Sequence, residues 1–151
     1  MAALPDTQLR PVATQVARRA RVLIADDSAA MIREVEYLLQ DHFEIVGKAT
    51  NGIDLVHETS RLKPDLIVTD LEMPGLSGIE ASREALRAHP DMPILLLTSH
   101  GDRHLVQEAL NAGIRGYVLK LAAADELIPA VHGALRGETW ISAGLRSPGK
   151  F

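Results

Sequence analysis

Short, uninterrupted apolar runs alternate with stretches of helical period along most of this chain, and that alternation constrains the fold more than any other feature. Val22-Leu23-Ile24-Ala25, Leu66-Ile67-Val68, Ile94-Leu95-Leu96-Leu97 and Gly116-Tyr117-Val118-Leu119 are too short for helices and apolar on both sides. Strands buried on both faces of a sheet have this pattern. A fifth run, Phe43 to Ala49, alternates like a strand with one polar side. Ser28 is placed to cap a helix whose apolar face carries Met31, Val35, Leu38 and Leu39. Asn51-Gly52 marks a turn, Pro64 and Pro90 end helices, and Gly113 is a helix stop. Numbered along the chain, the predicted elements are β1 (22–25), α1 (29–40), β2 (43–49), α2 (53–62), β3 (66–68), α3 (78–89), β4 (94–97), α4 (102–111), β5 (116–119) and α5 (123–135). Strand and helix in strict alternation predict an α/β fold: a doubly wound, five-stranded parallel sheet with helices on both faces. Right-handed crossovers leave few topologies, and the order 2-1-3-4-5 is the expected one.

That topology decides which residues meet. β1 ends on Asp26 and Asp27, β3 runs into Thr69-Asp70, β4 ends on Thr98 and Ser99, and β5 ends on Lys120. All four carboxyl ends reach one rim, where ligands bind in open α/β sheets. After Asp70, Met73-Pro74-Gly75 forms a turn that continues neither strand nor helix. Taken singly, a strand-end aspartate reads as a turn cap, a Thr-Ser pair as a helix cap and a lysine as a solvated edge residue. Together they are a specific signal. Three carboxylates at one edge repel one another and raise each other's pKa. A divalent cation such as magnesium relieves that, accepting carboxylates and phosphate oxygens together. Lys120 adds an opposite charge able to hold a phosphoryl oxygen, and Thr98 a hydroxyl. The chemistry this predicts is in-line phosphoryl transfer to Asp70 as nucleophile, giving an aspartyl phosphate.

Composition narrows the alternatives. With 151 residues the chain suits one domain, and 46% hydrophobic residues are too many for disorder. A net charge of -4 and 3% aromatics give no footprint for nucleic acid, and no apolar run approaches a membrane span. The absence of cysteine excludes disulfides, thiolate metal sites and thiol nucleophiles, and is compatible with the expected cytoplasmic location. Residues 1–20 are basic, hold Pro5 and Pro11, and lack the apolar segment of a secretory signal. They are expected to be a flexible extension with at most one or two helical turns over 12–19. His100 and His104 are four apart, but no third ligand is evident for zinc.

The stretch from about Arg21 to Gly137 resembles the receiver domain of two-component response regulators, the CheY-like fold. The motifs carrying the resemblance are Val22-Leu23-Ile24-Ala25-Asp26-Asp27-Ser28, Asp70-Leu71-Glu72-Met73-Pro74-Gly75, Leu97-Thr98-Ser99 and Gly116-Tyr117-Val118-Leu119-Lys120. Gly137-Glu138-Thr139-Trp140-Ile141-Ser142 is similar to the tail of the NarL/FixJ-type subfamily, where it leads to a helix-turn-helix output domain. The chain ends at Phe151 without one, and divides into an extension (1–20), a receiver domain (21–137) and a tail or linker (138–151).

The resemblance implies that Asp70 is the phosphoacceptor. Magnesium or manganese would be held by Asp27, Asp70 and the Glu72 backbone carbonyl, with Asp26 acting through water. Lys120 would contact the phosphoryl group and Thr98 would turn to bond it. Tyr117 would move inward behind Thr98. Ser99 would leave access, while Glu72 and His100 would tune hydrolysis. A sensor histidine kinase is the implied donor, and a homodimer through α4, β5 and α5, or through the last helix, an implied assembly. The activity is expected to be regulatory rather than enzymatic. Lys120 is followed by Leu121, where many receivers have proline, so no cis bond is expected there. Two other readings fit less: a pseudo-receiver acting only as a binding module, and an aspartate-nucleophile phosphatase using Glu72 at the spacing of its second acid.

Overall fold

In the computed structural model, residues 18–145 are described. Most of the basic extension, with residues 12–17 of the expected helical turns over 12–19, falls outside them, and Arg18 and Arg19 are not helical. The elements are β1 (Arg21–Ala25), α1 (Ala29–Leu39), β2 (Glu44–Ala49), α2 (Gly52–Leu62), β3 (Leu66–Thr69), α3 (Gly78–Ala88), β4 (Ile94–Thr98), α4 (Arg103–Asn111), β5 (Gly116–Leu119) and α5 (Ala123–Leu135). A sixth strand, β6 (Trp140–Ile141), follows. All strands are parallel, in the order β2-β1-β3-β4-β5-β6.

The predicted order is therefore correct but one strand short. Trp140 and Ile141, assigned from sequence to the tail, continue the sheet: their segment donates from Trp140 N–H to the Arg115 carbonyl (2.9 Å) and from Ser142 N–H to the Tyr117 carbonyl (2.9 Å). Strand pairing of two residues is too short to show in sequence periodicity.

Local chemistry explains the helix boundaries. Ser28 accepts from Met31 N–H, and Asn51 from Asp54 N–H, each satisfying a donor the first turn leaves open. Ser77 and Glu80 form a reciprocal capping box on α3. Helix α2 stops where Lys63 takes a left-handed conformation (φ 48) just before Pro64. Gly113 ends the turn after α4 with φ 96, a conformation glycine adopts without Cβ strain.

Each face of the sheet has its own core. Helices α1 and α5 cover one face, packing Ile32, Val35, Leu39, Leu127 and Val131 on Val22, Ile24, Val68 and Leu97. Helices α2, α3 and α4 cover the other, with Leu55, Ile79 and Val106 on Leu23, Ile67, Leu96 and Tyr117. Alternate strand residues go to opposite faces, so fully apolar strands were required. On α1 the buried residues are Ile32, Val35 and Leu39, with Met31 and Leu38 only partly buried; the expected face was rotated because Ile32 was left out of it. Ala20 also packs against this core and its carbonyl accepts from Glu44 N–H (2.9 Å), so ordered chain begins before β1.

Candidate functional site

The parallel sheet brings the carboxyl ends of β1, β3, β4 and β5 to one rim, where Asp26, Asp27, Asp70, Ser99 and Lys120 follow the strands. Backbone bonds pin Asp70: its N–H donates to the Ala25 carbonyl of β1 (2.8 Å), while Gly78 N–H donates to the Leu71 carbonyl (2.7 Å). Gly75, with φ 81, completes the turn that lets the chain leave the rim.

The side chain of Asp70 is held from two directions. Its Oδ1 accepts from Leu71 N–H (2.8 Å) and its Oδ2 lies 3.4 Å from Lys120 Nζ. The same ammonium lies 3.2 Å from Asp26 Oδ2, while Asp26 Oδ1 accepts from Ser28 N–H (2.8 Å). Asp26 and Asp70 are only 3% and 8% exposed, whereas Asp27 is exposed. Oxygens of all three carboxylates lie within 4.8 Å of one another, the one such group of candidate metal ligands among the described residues.

One ammonium thus faces two of the three carboxylates, Asp26 and Asp70. Burial pushes the Asp70 pKa up and the neighbouring Asp26 charge pushes it further, against a weaker pull from Lys120. Burial works to lower Lys120, but Asp70 and Asp26 together outweigh it and raise its pKa. Lys120 therefore stays charged.

Asp27, Asp70, Glu72, Ser99, His100 and Lys120 line a cleft of about 290 Å³. Glu72 and His100, both largely exposed, meet there through Oε1 and Nε2. A wider cleft of about 550 Å³ lies at the opposite, amino-terminal ends of β1 and β2, where Arg19 and Arg21 line it. Those guanidiniums already donate to the Gln40 and Lys63 carbonyls. The chemistry, not the volume, distinguishes the acidic cleft.

Two of the expected site residues stand apart from the cleft. Thr98 is fully buried, and its Oγ1 accepts from His100 N–H (3.1 Å) rather than facing Asp70. The Tyr117 ring, expected to move inward, is already fully buried and its hydroxyl donates to the His100 carbonyl (2.8 Å). Burial and then the Asp102 charge push the Tyr117 pKa up to about 12, so the phenol remains a donor across neutral pH. Thr98 and Tyr117 together hold the His100 backbone, one at each side of the residue.

Lys120 to Ala122 form a 3-10 turn with all-trans peptide bonds, and Leu121 is fully exposed on it. Glu126, unmentioned by any motif, accepts from Trp140 Nε1 (3.0 Å) and Ser142 Oγ (2.7 Å). Its i-to-i+14 and i+16 partners follow no local period, so sequence patterning had no signal for it.

Gly78 ties fold to site. A Cβ there would lie 2.0 Å from the Asp70 carbonyl oxygen, so Gly78→Ala must displace the Asp70–Leu71 backbone. Overpacking of this kind costs about 1–3 kcal/mol. Thermal unfolding should show that loss, and crystallography a shifted Asp70; a wild-type midpoint would contradict the tight approach.

Comparison with known proteins identifies the family and agrees with the fold. The family described as response regulator receiver domain matches residues 22–132. The transcriptional regulatory protein YdfI of Bacillus subtilis is 36% identical over 127 residues, covering 83% of this chain and 59% of that protein. The oxygen regulatory protein NreC of Staphylococcus carnosus is 36% identical over 124 residues, covering 80% of this chain and 57% of its own. A two-component response regulator of the LuxR family from Aurantimonas sp. SI85-9A1 superposes with a TM-score of 0.81 at 28% identity, covering 85% of this chain and 93% of that one. The chain spans a little under three fifths of the length of these curated relatives.

Proposed function

The chain belongs to the response regulator receiver domain family, and from that premise we propose that it takes a phosphoryl group onto Asp70 from a histidine kinase or a small phosphodonor. The observation that carries this reading is the Asp70 carboxylate, pinned at the rim with one oxygen on Leu71 N–H and the other facing Lys120. An Asp70 oxygen forms the new O–P bond as the donor's N–P bond breaks and its imidazole leaves with the electron pair. From acetyl phosphate the leaving group is acetate. Lys120 holds a phosphoryl oxygen throughout, and its raised pKa keeps it cationic for that task.

The acidic cluster suits a divalent cation. Asp27 is exposed at the cleft, close to two buried carboxylates that share one ammonium. Asp27, Asp70 and the Glu72 carbonyl would hold magnesium or manganese, with Asp26 contributing through water. When bound, such an ion supplies positive charge that offsets the incoming phosphoryl oxygens.

Intact mass spectrometry after incubation with acetyl phosphate and magnesium tests the reading. One phosphoryl group should be gained, and EDTA should prevent it. No gain under either condition would overturn the assignment.

The signal begins at Thr98. Turning its hydroxyl to a phosphoryl oxygen releases His100 N–H, the Tyr117 ring follows into the space Thr98 vacates, and the loop after β4, held by both residues, repacks with them. Full switching from 1:99 to 99:1 needs about 5.5 kcal/mol of preference for the active state, which one charge-assisted hydrogen bond does not supply alone. Dimerisation through α4, β5 and α5 would have to form over β6, which pairs with the edge of β5. Ser99 leaves the cleft open beside Asp70, and the Glu72–His100 pair at its lip governs how water reaches the phosphoryl group. The activity is that of a regulatory phosphoacceptor in the cytoplasm; no helix among the described residues is long and apolar enough to cross a membrane.

The metal-free site also sets a stability effect. Because the Asp70 pKa is raised on folding, the folded chain binds more protons than the unfolded one above the ordinary aspartate value of about 3.9. Stability of the metal-free protein therefore falls as pH rises from there through the raised native value. Asp70→Asn removes this, and should raise metal-free stability at neutral pH by about 1–2 kcal/mol, roughly 3–6 °C. Magnesium at about 100 times its dissociation constant adds about 2.7 kcal/mol to the wild type and should add less to the variant. Equal magnesium responses in thermal unfolding would place the ion elsewhere.

A further inference from the structure

We propose that residues 140–145 are a latch clasped by Glu126, and that a phosphoryl group on Asp70 loosens it. In the clasp, one carboxylate accepts from Trp140 Nε1 (3.0 Å) and Ser142 Oγ (2.7 Å) on Oε1, and from Ala143 N–H (3.3 Å) on Oε2. Ser142 is almost fully buried, and its hydroxyl also accepts from Leu119 N–H (2.9 Å). Leu119 immediately precedes Lys120, the residue that faces Asp70. The tail is therefore hydrogen-bonded to the backbone beside the site's ammonium.

The same segment touches the other switching element. Ser142 N–H donates to the Tyr117 carbonyl (2.9 Å), and Ile141 and Leu145 pack against the core that holds the Tyr117 ring. Leu145 closes on the loop after β4: a Cβ on Gly101 would lie 3.0 Å from its Cδ2. The latch is seated on the end of β5 and on the loop that Thr98 and Tyr117 hold through His100.

The coupling, which rests on the phosphoacceptor reading, follows from these shared contacts. When Thr98 lets go of His100 and Lys120 is drawn to the phosphoryl group, both seats of the latch shift. Glu126, fixed on α5, cannot follow both. Releasing 140–145 frees the β5 edge and whatever chain follows the tail. Reciprocity requires that loosening the latch also favour the phosphorylated arrangement.

The chain's single tryptophan is in the latch, so the protein carries its own reporter. Acrylamide quenching of Trp140 should be followed in the full chain with magnesium, before and after acetyl phosphate, beside intact mass. The quenching constant is expected to rise at least twofold on phosphorylation. In Glu126→Ala, quenching should already be raised without phosphodonor, and beryllofluoride, a stable phosphoryl mimic, should bind several-fold more tightly with magnesium. Ser142→Ala, which keeps the Glu126–Trp140 bond, is the second variant, used if Glu126→Ala fails to fold by circular dichroism, and it too should bind beryllofluoride more tightly. Phosphoryl gain with unchanged or reduced Trp140 quenching overturns the latch but leaves the phosphoacceptor. Absence of phosphoryl gain overturns both the phosphoacceptor and the latch's trigger. Wild-type quenching in a folded Glu126→Ala overturns the clasp whatever the phosphoryl result.

Discussion

Asp70→Ala is expected to abolish phosphoryl uptake from acetyl phosphate, with a rate at least 100-fold below wild type, a loss of about 2.7 kcal/mol or more in transition-state stabilisation. No neighbour is placed to substitute. Asp26 is 3% exposed and, unlike Asp70, does not line the cleft, so a donor seated there does not reach it. Asp27 is exposed and lines the cleft, but Lys120 lies against Asp26 and Asp70 instead. A phosphoryl group on Asp27 would lack that ammonium. The measurement is intact mass over a time course, with peptide mapping of any residual product. Uptake at the wild-type rate, mapped to Asp27, would falsify the assignment of the nucleophile.

Lys120→Met carries the second large effect, and it acts on both stability and chemistry. Methionine keeps the volume but leaves two buried carboxylates, Asp26 and Asp70, facing each other without a cation. Removing one partner of a buried ion pair costs about 3–5 kcal/mol, and the partial exposure of Lys120 brings the expectation to about 2–4 kcal/mol. The sign with pH is definite. The native Lys120 pKa is raised, so its stabilising contribution is complete below the ordinary lysine value of about 10.4 and is lost as pH rises through the native one. At neutral pH the wild type has that contribution in full and the variant lacks it. Lowering the pH should narrow the gap, because protonating Asp70 removes the repulsion the lysine offsets. Magnesium should narrow it too. Phosphoryl uptake should fall at least tenfold even where the variant is folded. Denaturant unfolding at pH 5 and pH 8, with and without magnesium, checks all of this. A gap that is the same at both pH values would mean the ammonium acts through packing alone.

The acids and the lysine of the site were legible because of where they stand in the chain. A carboxylate directly after a continuous apolar run has to emerge at a strand end, and parallel connection takes four such ends to one edge. That inference needed only strand type and crossover hand, so Asp26, Asp27, Asp70 and Lys120 could be brought together before any coordinates. Thr98 and Tyr117 were legible as residues but not in their bonding. Both spend their hydroxyls on the His100 backbone, a choice set by the path of a loop with no periodicity. The α1 face was misjudged by one residue for a simpler reason. Met31, Ile32, Val35, Leu38 and Leu39 together define a stripe wide enough to be rotated without penalty until the sheet beneath it is specified.

The sequence by itself determined the layered α/β architecture, the strand order from β2 to β5 and the identity of the rim, since these follow from hydrophobic runs and chain connectivity, which are local. Only the tertiary structure decided that Trp140–Ile141 joins the sheet, that Glu126 reaches across to hold it, and that Lys120 divides its charge between Asp26 and Asp70. Each of those is a pairing between distant residues in which a polar atom takes whichever partner burial leaves within reach, and reach is a property of the folded chain.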